Sequence, residues 1–172
     1  MREDDSRCDR MLREAGCSPG VIAHCHAVRD LAASYVDRYG VIDSRLVTRG
    51  ALLHDIGRGM THSLDHAGRG AAYCRDHGVP EGIVRIVQCH VGAGLTADEC
   101  ALLRLPPIDC MPRTLEEKIV ANADNLVKGR RGISIYGRLG SSLSLNRRIR
   151  QRIYRLWIHC EQVANAPGQP GS

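Results

Sequence analysis

Residues 46–57 read LVTRGALLHDIG, and this stretch decides the fold. Its apolar positions Leu46, Val47, Ala51 and Leu53 follow helical spacing, which predicts an amphipathic helix that begins at Asp43 or Ser44. His54 and Asp55 come directly after the last leucine of this helix. Helices of a bundle can project such side chains into a shared interior, so this imidazole and carboxylate are candidates for a metal site.

Helical patterns separated by glycine and proline cover most of the remaining chain. The expected helices span residues 3–15, 19–39, 64–77, 80–90 and 142–164. Two more segments begin with the capping-box pattern, at Thr96-x-x-Glu99 and Thr114-x-x-Glu117. Residues 129–141 are rich in glycine and arginine and predict a loop. Because convincing strand alternation is absent, the predicted fold class is all-α.

The length of 172 residues fits one domain, expected over residues 1–165, with a frayed tail at 166–172. Hydrophobic residues make up 43% of the chain, which is enough for a buried core. The eight cysteines include no C-x-x-C pair, so we expect most of them to be small buried apolar side chains. A ligand role is left open for Cys25 and Cys89, because each adjoins a histidine.

The formal net charge of +5 suits an anionic ligand but falls short of a dedicated nucleic-acid binder. The late arginines are interpreted as a solvated helix face: Arg147, Arg148, Arg150, Arg152 and Arg155. The chain has no signal-peptide pattern and no apolar run of bilayer length, so we expect a cytoplasmic protein without a membrane partner. A homo-oligomer is left open.

Histidines and acids are distributed over separate predicted helices. His24, His66 and His90 lie on three helices apart from the one that ends at His54. Asp124 lies inside the apolar stretch 119–127, where a carboxylate is costly to bury without a partner. Imidazole and carboxylate groups that converge on a divalent cation would remove this cost. The plain alternative is that each histidine is an ordinary hydrogen-bonded residue.

The pattern of His24, the run Leu53–Gly57 and Ala123-Asp124 resembles the H…HD…D signature of the HD-domain superfamily. The resemblance covers about Val21 to Val127 and implies a helical bundle. It also implies that His24, His54, Asp55 and Asp124 hold a divalent metal ion. His26 competes with His24 for the first position, but Val28 favours the register of His24.

A subset of the superfamily has the longer pattern H…HD…H…H…D, which His66 and His90 match. By this resemblance Asp55 would bridge two metal ions, with His66 and His90 as ligands of the second. His62 could instead be a ligand or a substrate contact, whereas His77 and His159 are interpreted as ordinary surface or capping residues. Manganese, iron, zinc, cobalt and magnesium remain equally compatible with these ligands.

The resemblance implies a phosphohydrolase in which a metal-bound hydroxide attacks the phosphorus of an ester or anhydride. The expected substrate is a small phosphorylated molecule such as a nucleotide. Asp55 would be catalytic, and Arg58, where family members commonly carry lysine, could grip a phosphate. Glu117 and Lys118 could orient Asp124 or reach the substrate, but an exposed pair is the favoured interpretation. Two alternatives are a di-iron oxygenase of the same fold and a non-catalytic module that binds nucleotides or RNA.

Overall fold

The computed structural model describes residues 3–39 and 42–164, so the predicted tail at 166–172 lies outside the described residues. The helices are α1 (Glu3–Glu14), α2 (Pro19–Tyr39), α3 (Ser44–Leu53), α4 (His66–Asp76), α5 (Glu81–Cys89), α6 (Ala97–Leu102), α7 (Leu115–Asn125), α8 (Ile135–Gly140) and α9 (Arg147–Ala164). A 3-10 turn at Ile56–Gly59 separates α3 from α4, and strands β1 (Val127–Lys128) and β2 (Arg131–Gly132) follow α7. The predicted all-α class is confirmed.

Helix α3 lies between the two larger parts of the hydrophobic core. Its Leu52 and Leu53 pack into one cluster with residues of α1, α4 and α5. On the same helix, Val47 and Ala51 pack into a second cluster with residues of α2 and α7. A helix with apolar contacts on two sides has few ways to shift, so the residues at its C-terminal end are held firmly.

The segment 129–141 is not the plain loop that its composition predicted. Strands β1 and β2 pair antiparallel around a turn in which Gly129 has a φ of 63°, a conformation that glycine adopts without steric cost. Ser134 then caps α8 by accepting a hydrogen bond from the Gly137 amide at 3.1 Å. Two-residue strands are too short to give an alternating sequence pattern, which is why the prediction was wrong.

The last helix begins at Arg147 rather than at residue 142. Asn146 is its capping residue, since its Oδ1 accepts a hydrogen bond from the Arg148 amide at 2.8 Å. The late arginines are also not all solvated. Arg152 is half-buried and forms an ion pair with Glu99 at 2.8 Å, which ties α9 to α6.

The expectation that most cysteines are small buried side chains agrees with the structure. All eight cysteines are free, and seven of them are buried. Within residues 3–39 and 42–164, no helix combines the length and the apolarity that a bilayer span requires.

Gly57 permits the close approach of the 3-10 turn to α4. A Cβ at this position would lie 1.9 Å from the carbonyl oxygen of His66, so backbone would have to move. We expect Gly57→Ala to lower the free energy of unfolding by about 1–3 kcal/mol or more, the usual cost of overpacking, as measured by urea denaturation.

Gly68 provides the matched control for this substitution. It lies in α4, and a Cβ there would meet nothing within 4 Å. Gly68→Ala should therefore be neutral or stabilise the protein, by up to about 1 kcal/mol, because alanine has the higher helix propensity. Equal stabilities of the two variants would contradict this account of Gly57.

Candidate metal centre

Six side chains from five helical segments and the turn after α3 converge at one place. His54 follows the last residue of α3, His90 follows the last residue of α5, and His66 is the first residue of α4. His24 lies within α2, and Asp124 lies in the last turn of α7. Helix ends place side chains where neighbouring helices meet, so residues distant in sequence become neighbours.

Asp55 is the centre of this cluster because its two oxygens face different histidine pairs. Its Oδ1 lies 3.2 Å from His66 Nε2 and 3.5 Å from His90 Nε2. Its Oδ2 lies 3.9 Å from His54 Nε2 and 4.0 Å from His24 Nε2. A carboxylate placed in this way can bridge two cations, each with its own pair of imidazoles.

Asp124 completes the group formed by His24, His54 and Asp55 Oδ2. Its Oδ1 lies 3.0 Å from His24 Nε2 and 3.5 Å from His54 Nε2. His24, His54 and Asp124 therefore form a set of three potential ligand atoms within 4.8 Å of one another. His54, Asp55 and His90 form a second such set. The described residues can thus hold a metal ion.

Each of the four histidines has its Nδ1 within hydrogen-bonding distance of a backbone carbonyl. The distances are 2.7 Å for His54 and His90, 2.8 Å for His66 and 2.9 Å for His24. The carbonyls belong to Ala51, Val87, Ser63 and Gly129, respectively. Because a carbonyl only accepts, these contacts place the proton on Nδ1 and leave the Nε2 lone pair directed at the centre.

Three buried ring nitrogens then lack a suitable hydrogen-bond partner. His54 Nε2 is buried and has no hydrogen-bond partner within the described part of the chain. The Nε2 atoms of His66 and His90 lie 3.1 Å apart, and with both protons on Nδ1 they present two lone pairs to each other. A divalent cation would satisfy all three nitrogens, so this donor set fits a metal.

The electrostatics of the cluster favour an ionised Asp55 and a neutral His90. Burial alone would raise the pKa of Asp55, but the neighbouring imidazoles of His66 and His90 lower it well below its usual range. Burial lowers the pKa of His90, which favours the neutral imidazole. An ionised carboxylate beside a neutral imidazole is the ligand combination typical of zinc, manganese and iron sites.

The cluster is more exposed to solvent at His24 and Asp124 than at His54 and His66. The side chains of His54 and His66 are 0% and 2% exposed, whereas those of His24 and Asp124 are 15% and 24% exposed. A cavity of about 360 Å³ lies against Asp124 on this more exposed side. A small molecule would therefore reach the centre past Asp124.

Arg58 lies at the edge of the cluster. Its Nε donates to Asp55 Oδ1 at 3.2 Å, and its Nη1 donates to the carbonyl of His62 at 2.9 Å. The side chain of Arg58 is 30% exposed, so the guanidinium touches both the buried carboxylate and solvent. His62 contributes only this backbone contact among those described.

The other histidines considered from the sequence do not face the centre. His26 Nε2 lies 2.7 Å from Asp9 Oδ1, and His77 stacks on Tyr73. His159 is an exposed residue of α9. Neither of the ligand sets within 3–39 and 42–164 includes a cysteine.

Glu117 is buried, so its interpretation as an exposed residue is wrong. Its Oε2 accepts a hydrogen bond from the Arg113 amide at 2.6 Å, and its Oε1 lies 3.5 Å from Arg85 Nε. Arg85 in turn donates to the carbonyls of Asp109 and Met111. Glu117 and Arg85 thus fasten α5 and α7 to the preceding loop. Because Glu117 and Arg85 lie far apart in the sequence, no local pattern predicted this ion pair.

Comparisons with known proteins agree with this geometry. The sequence profile of the family described as HD domain matches residues 21–129. An uncharacterised protein of Methanocaldococcus jannaschii is 45% identical over 123 residues, which are 69% of this chain and 73% of that protein. A tRNA (cytidine(56)-2'-O)-methyltransferase of Picrophilus torridus is 43% identical over 77% of this chain, which spans only 38% of that protein's length.

A solved structure shares the fold at low sequence identity. The HD domain of the Listeria monocytogenes phosphodiesterase PgpH, in complex with cyclic-di-AMP, is 17% identical and superposes with a TM-score of 0.54. The superposition covers 90% of this chain and 95% of that one. Since the family profile spans more than half of the sequence, this chain belongs to the HD-domain family.

Proposed function

We propose that this chain is a metal-dependent phosphohydrolase that cleaves a phosphate ester or anhydride of a nucleotide or a related small molecule. The observation that carries the proposal is the position of Asp55, whose two oxygens face two separate pairs of histidines. Membership of the HD-domain family supports it. So does the named activity of PgpH, a phosphodiesterase whose HD domain binds cyclic-di-AMP.

The chemistry follows from the ligands and from the access to the centre. Divalent cations bound there would lower the pKa of a bound water toward neutrality and neutralise charge on phosphoryl oxygens. His54, His66 and His90 are buried and hold their side of the centre dry. His24 and Asp124 lie on the more exposed side, where a substrate phosphate can approach.

We propose that Arg58 contacts both Asp55 and the substrate. Its bond to Asp55 fixes the orientation of the bridging carboxylate. Since the guanidinium is part-exposed and has five N–H donors, it can also donate to a substrate phosphate. Lysine would keep the charge but not the planar donor geometry.

Metal analysis of the purified chain tests whether it binds divalent ions. We expect up to two divalent ions per chain. His66→Gln should weaken the binding of one ion by more than the roughly 10–100-fold that follows loss of an outer-shell partner. The same substitution at exposed His159 is the matched control and should leave the metal content unchanged. Loss of both ions, or of neither, from the His66 variant would contradict the two-site arrangement.

Cleavage of a phosphate ester, followed by the release of p-nitrophenol or of the nucleotide products, tests whether the chain is a hydrolase. The metal-loaded chain should hydrolyse bis(p-nitrophenyl) phosphate or a nucleotide. Asp55→Asn should lower kcat by at least about 10²–10³-fold, because one of the groups that positions the reaction is lost. His159→Gln should again match the unmodified protein. Oxygen uptake by an iron-loaded protein that cleaves no phosphate ester would instead indicate an oxygenase. Salt-sensitive RNA binding without turnover would indicate a binding module.

The role of Arg58 predicts a graded series of variants. Arg58→Ala should lower kcat/KM by about 10–100-fold, the equivalent of one charged hydrogen bond of about 1.5–3 kcal/mol. Arg58→Lys should retain part of the activity because it keeps the positive charge. Steady-state kinetics on the same phosphodiester measure this. If alanine and lysine variants equal the unmodified protein, Arg58 has no part in the reaction.

A further inference from the structure

The cavity beside Asp124 is lined by residues that lie C-terminal to the H…HD…D pattern. Its lining includes Asn125, Lys128 and Arg138 together with Asp124. Two of these residues are basic, and Asp124 is the single acid. A cation held by Asp124 and its histidine neighbours would offset the negative charge of this acid. The cavity would then attract anions.

Arg138 is fixed in place rather than mobile. Its Nε donates to Asn125 Oδ1 at 3.0 Å, and its Nη1 donates to Ser142 Oγ. Ser142 Oγ also lies 2.7 Å from the carbonyl of Arg138. The second terminal nitrogen of Arg138, Nη2, has no partner within residues 3–39 and 42–164. A pre-oriented guanidinium with a free donor is well suited to bind a phosphate oxygen.

Asn125 connects Arg138 to the metal centre. This residue is 4% exposed and follows Asp124 directly. Its Nδ2 donates to the carbonyls of Ala121 and Gly92, and the latter lies in the loop just after His90. With both amide protons used, only the oxygen of Asn125 can face Arg138. Asn125 is therefore a positioning residue for Arg138.

The hairpin adds the second cation. Lys128 is exposed on β1, and the carbonyl of the next residue, Gly129, lies 2.9 Å from Nδ1 of His24. This contact anchors the hairpin to the metal centre. Lys128 and Arg138 thus share one cavity that opens beside a potential ligand of the metal.

We propose that Arg138, positioned by Asn125 and assisted by Lys128, binds a second phosphate group of the substrate while the metal centre holds the reacting phosphate. This proposal rests on the proposed function. It names the substrate class as molecules with two phosphate groups, such as nucleoside polyphosphates or dinucleotides. A volume of about 360 Å³ is within the usual range for a small-ligand pocket, which begins near 300 Å³.

Equilibrium binding to the manganese-loaded protein tests the proposal without relying on turnover. The probes are methylenediphosphonate, which has two phosphonate groups and resists hydrolysis, and methylphosphonate, which has one. Calorimetry should give tighter binding of the diphosphonate. Arg138→Gln should weaken diphosphonate binding by about 10-fold or more, as expected for a charged hydrogen bond, and change methylphosphonate binding less than about twofold.

Arg147→Gln is the matched control, because it removes the same charge from an exposed position at the start of α9. Lys128→Gln should weaken diphosphonate binding by a smaller factor, and it tests the cavity independently if the Arg138 variant does not fold. Asn125→Ala should weaken the binding of the diphosphonate more than that of methylphosphonate, and the metal content should stay the same. A purely structural role of Asn125 would not produce this selectivity.

Two results would overturn the proposal. One is equal affinity of the unmodified protein for the two phosphonates. The other is equal loss of affinity in the Arg138 and Arg147 variants, since that would indicate a general charge effect. The proposed function fails differently: a protein that binds metal and discriminates the two phosphonates, but cleaves no phosphate ester or anhydride, would retain the second-phosphate site and lose the hydrolase assignment.

Discussion

Both carboxylate oxygens of Asp55 face imidazole nitrogens, and the helices packed around α3 bring these groups together. Four histidines approach one side chain from four segments of the chain, at distances between 3.2 and 4.0 Å. Such crowding of buried polar groups is costly unless each group has a partner. A divalent cation between the carboxylate and the imidazoles supplies that partner. The same cation would supply the chemistry of hydrolysis.

The orientation of the imidazoles depends on two kinds of backbone contact. His54, His66 and His90 each use the carbonyl three residues earlier, so the local chain alone orients them. His24 instead uses Gly129, which lies 105 residues later in the hairpin. The rigid side of the centre is therefore built locally. The more exposed side depends on the docking of a distant turn, and this turn also carries the basic residue Lys128.

Close packing keeps these segments in position. Gly50 lets α5 approach α3, since a Cβ there would lie 2.5 Å from Ile86. Gly57 does the same for the turn against α4. Small residues at both contacts allow α3 and the turn after it to touch the elements that carry His66 and His90. Glycine in the HDIG run is thus a packing requirement as much as a turn residue.

The sequence by itself determined the helical class and most helix boundaries, because helical periodicity is a local signal. Its resemblance to the H…HD…H…H…D pattern of the HD-domain superfamily indicated the six residues that converge. The assignment of those six residues as metal ligands remains a prediction. Tertiary structure alone decided that Glu117 is buried against Arg85, that Gly129 orients His24, and that Arg138 lies in the cavity beside Asp124. These contacts join residues 13–105 positions apart through single hydrogen bonds or a shared cavity, and such pairings have no periodicity that a sequence could display.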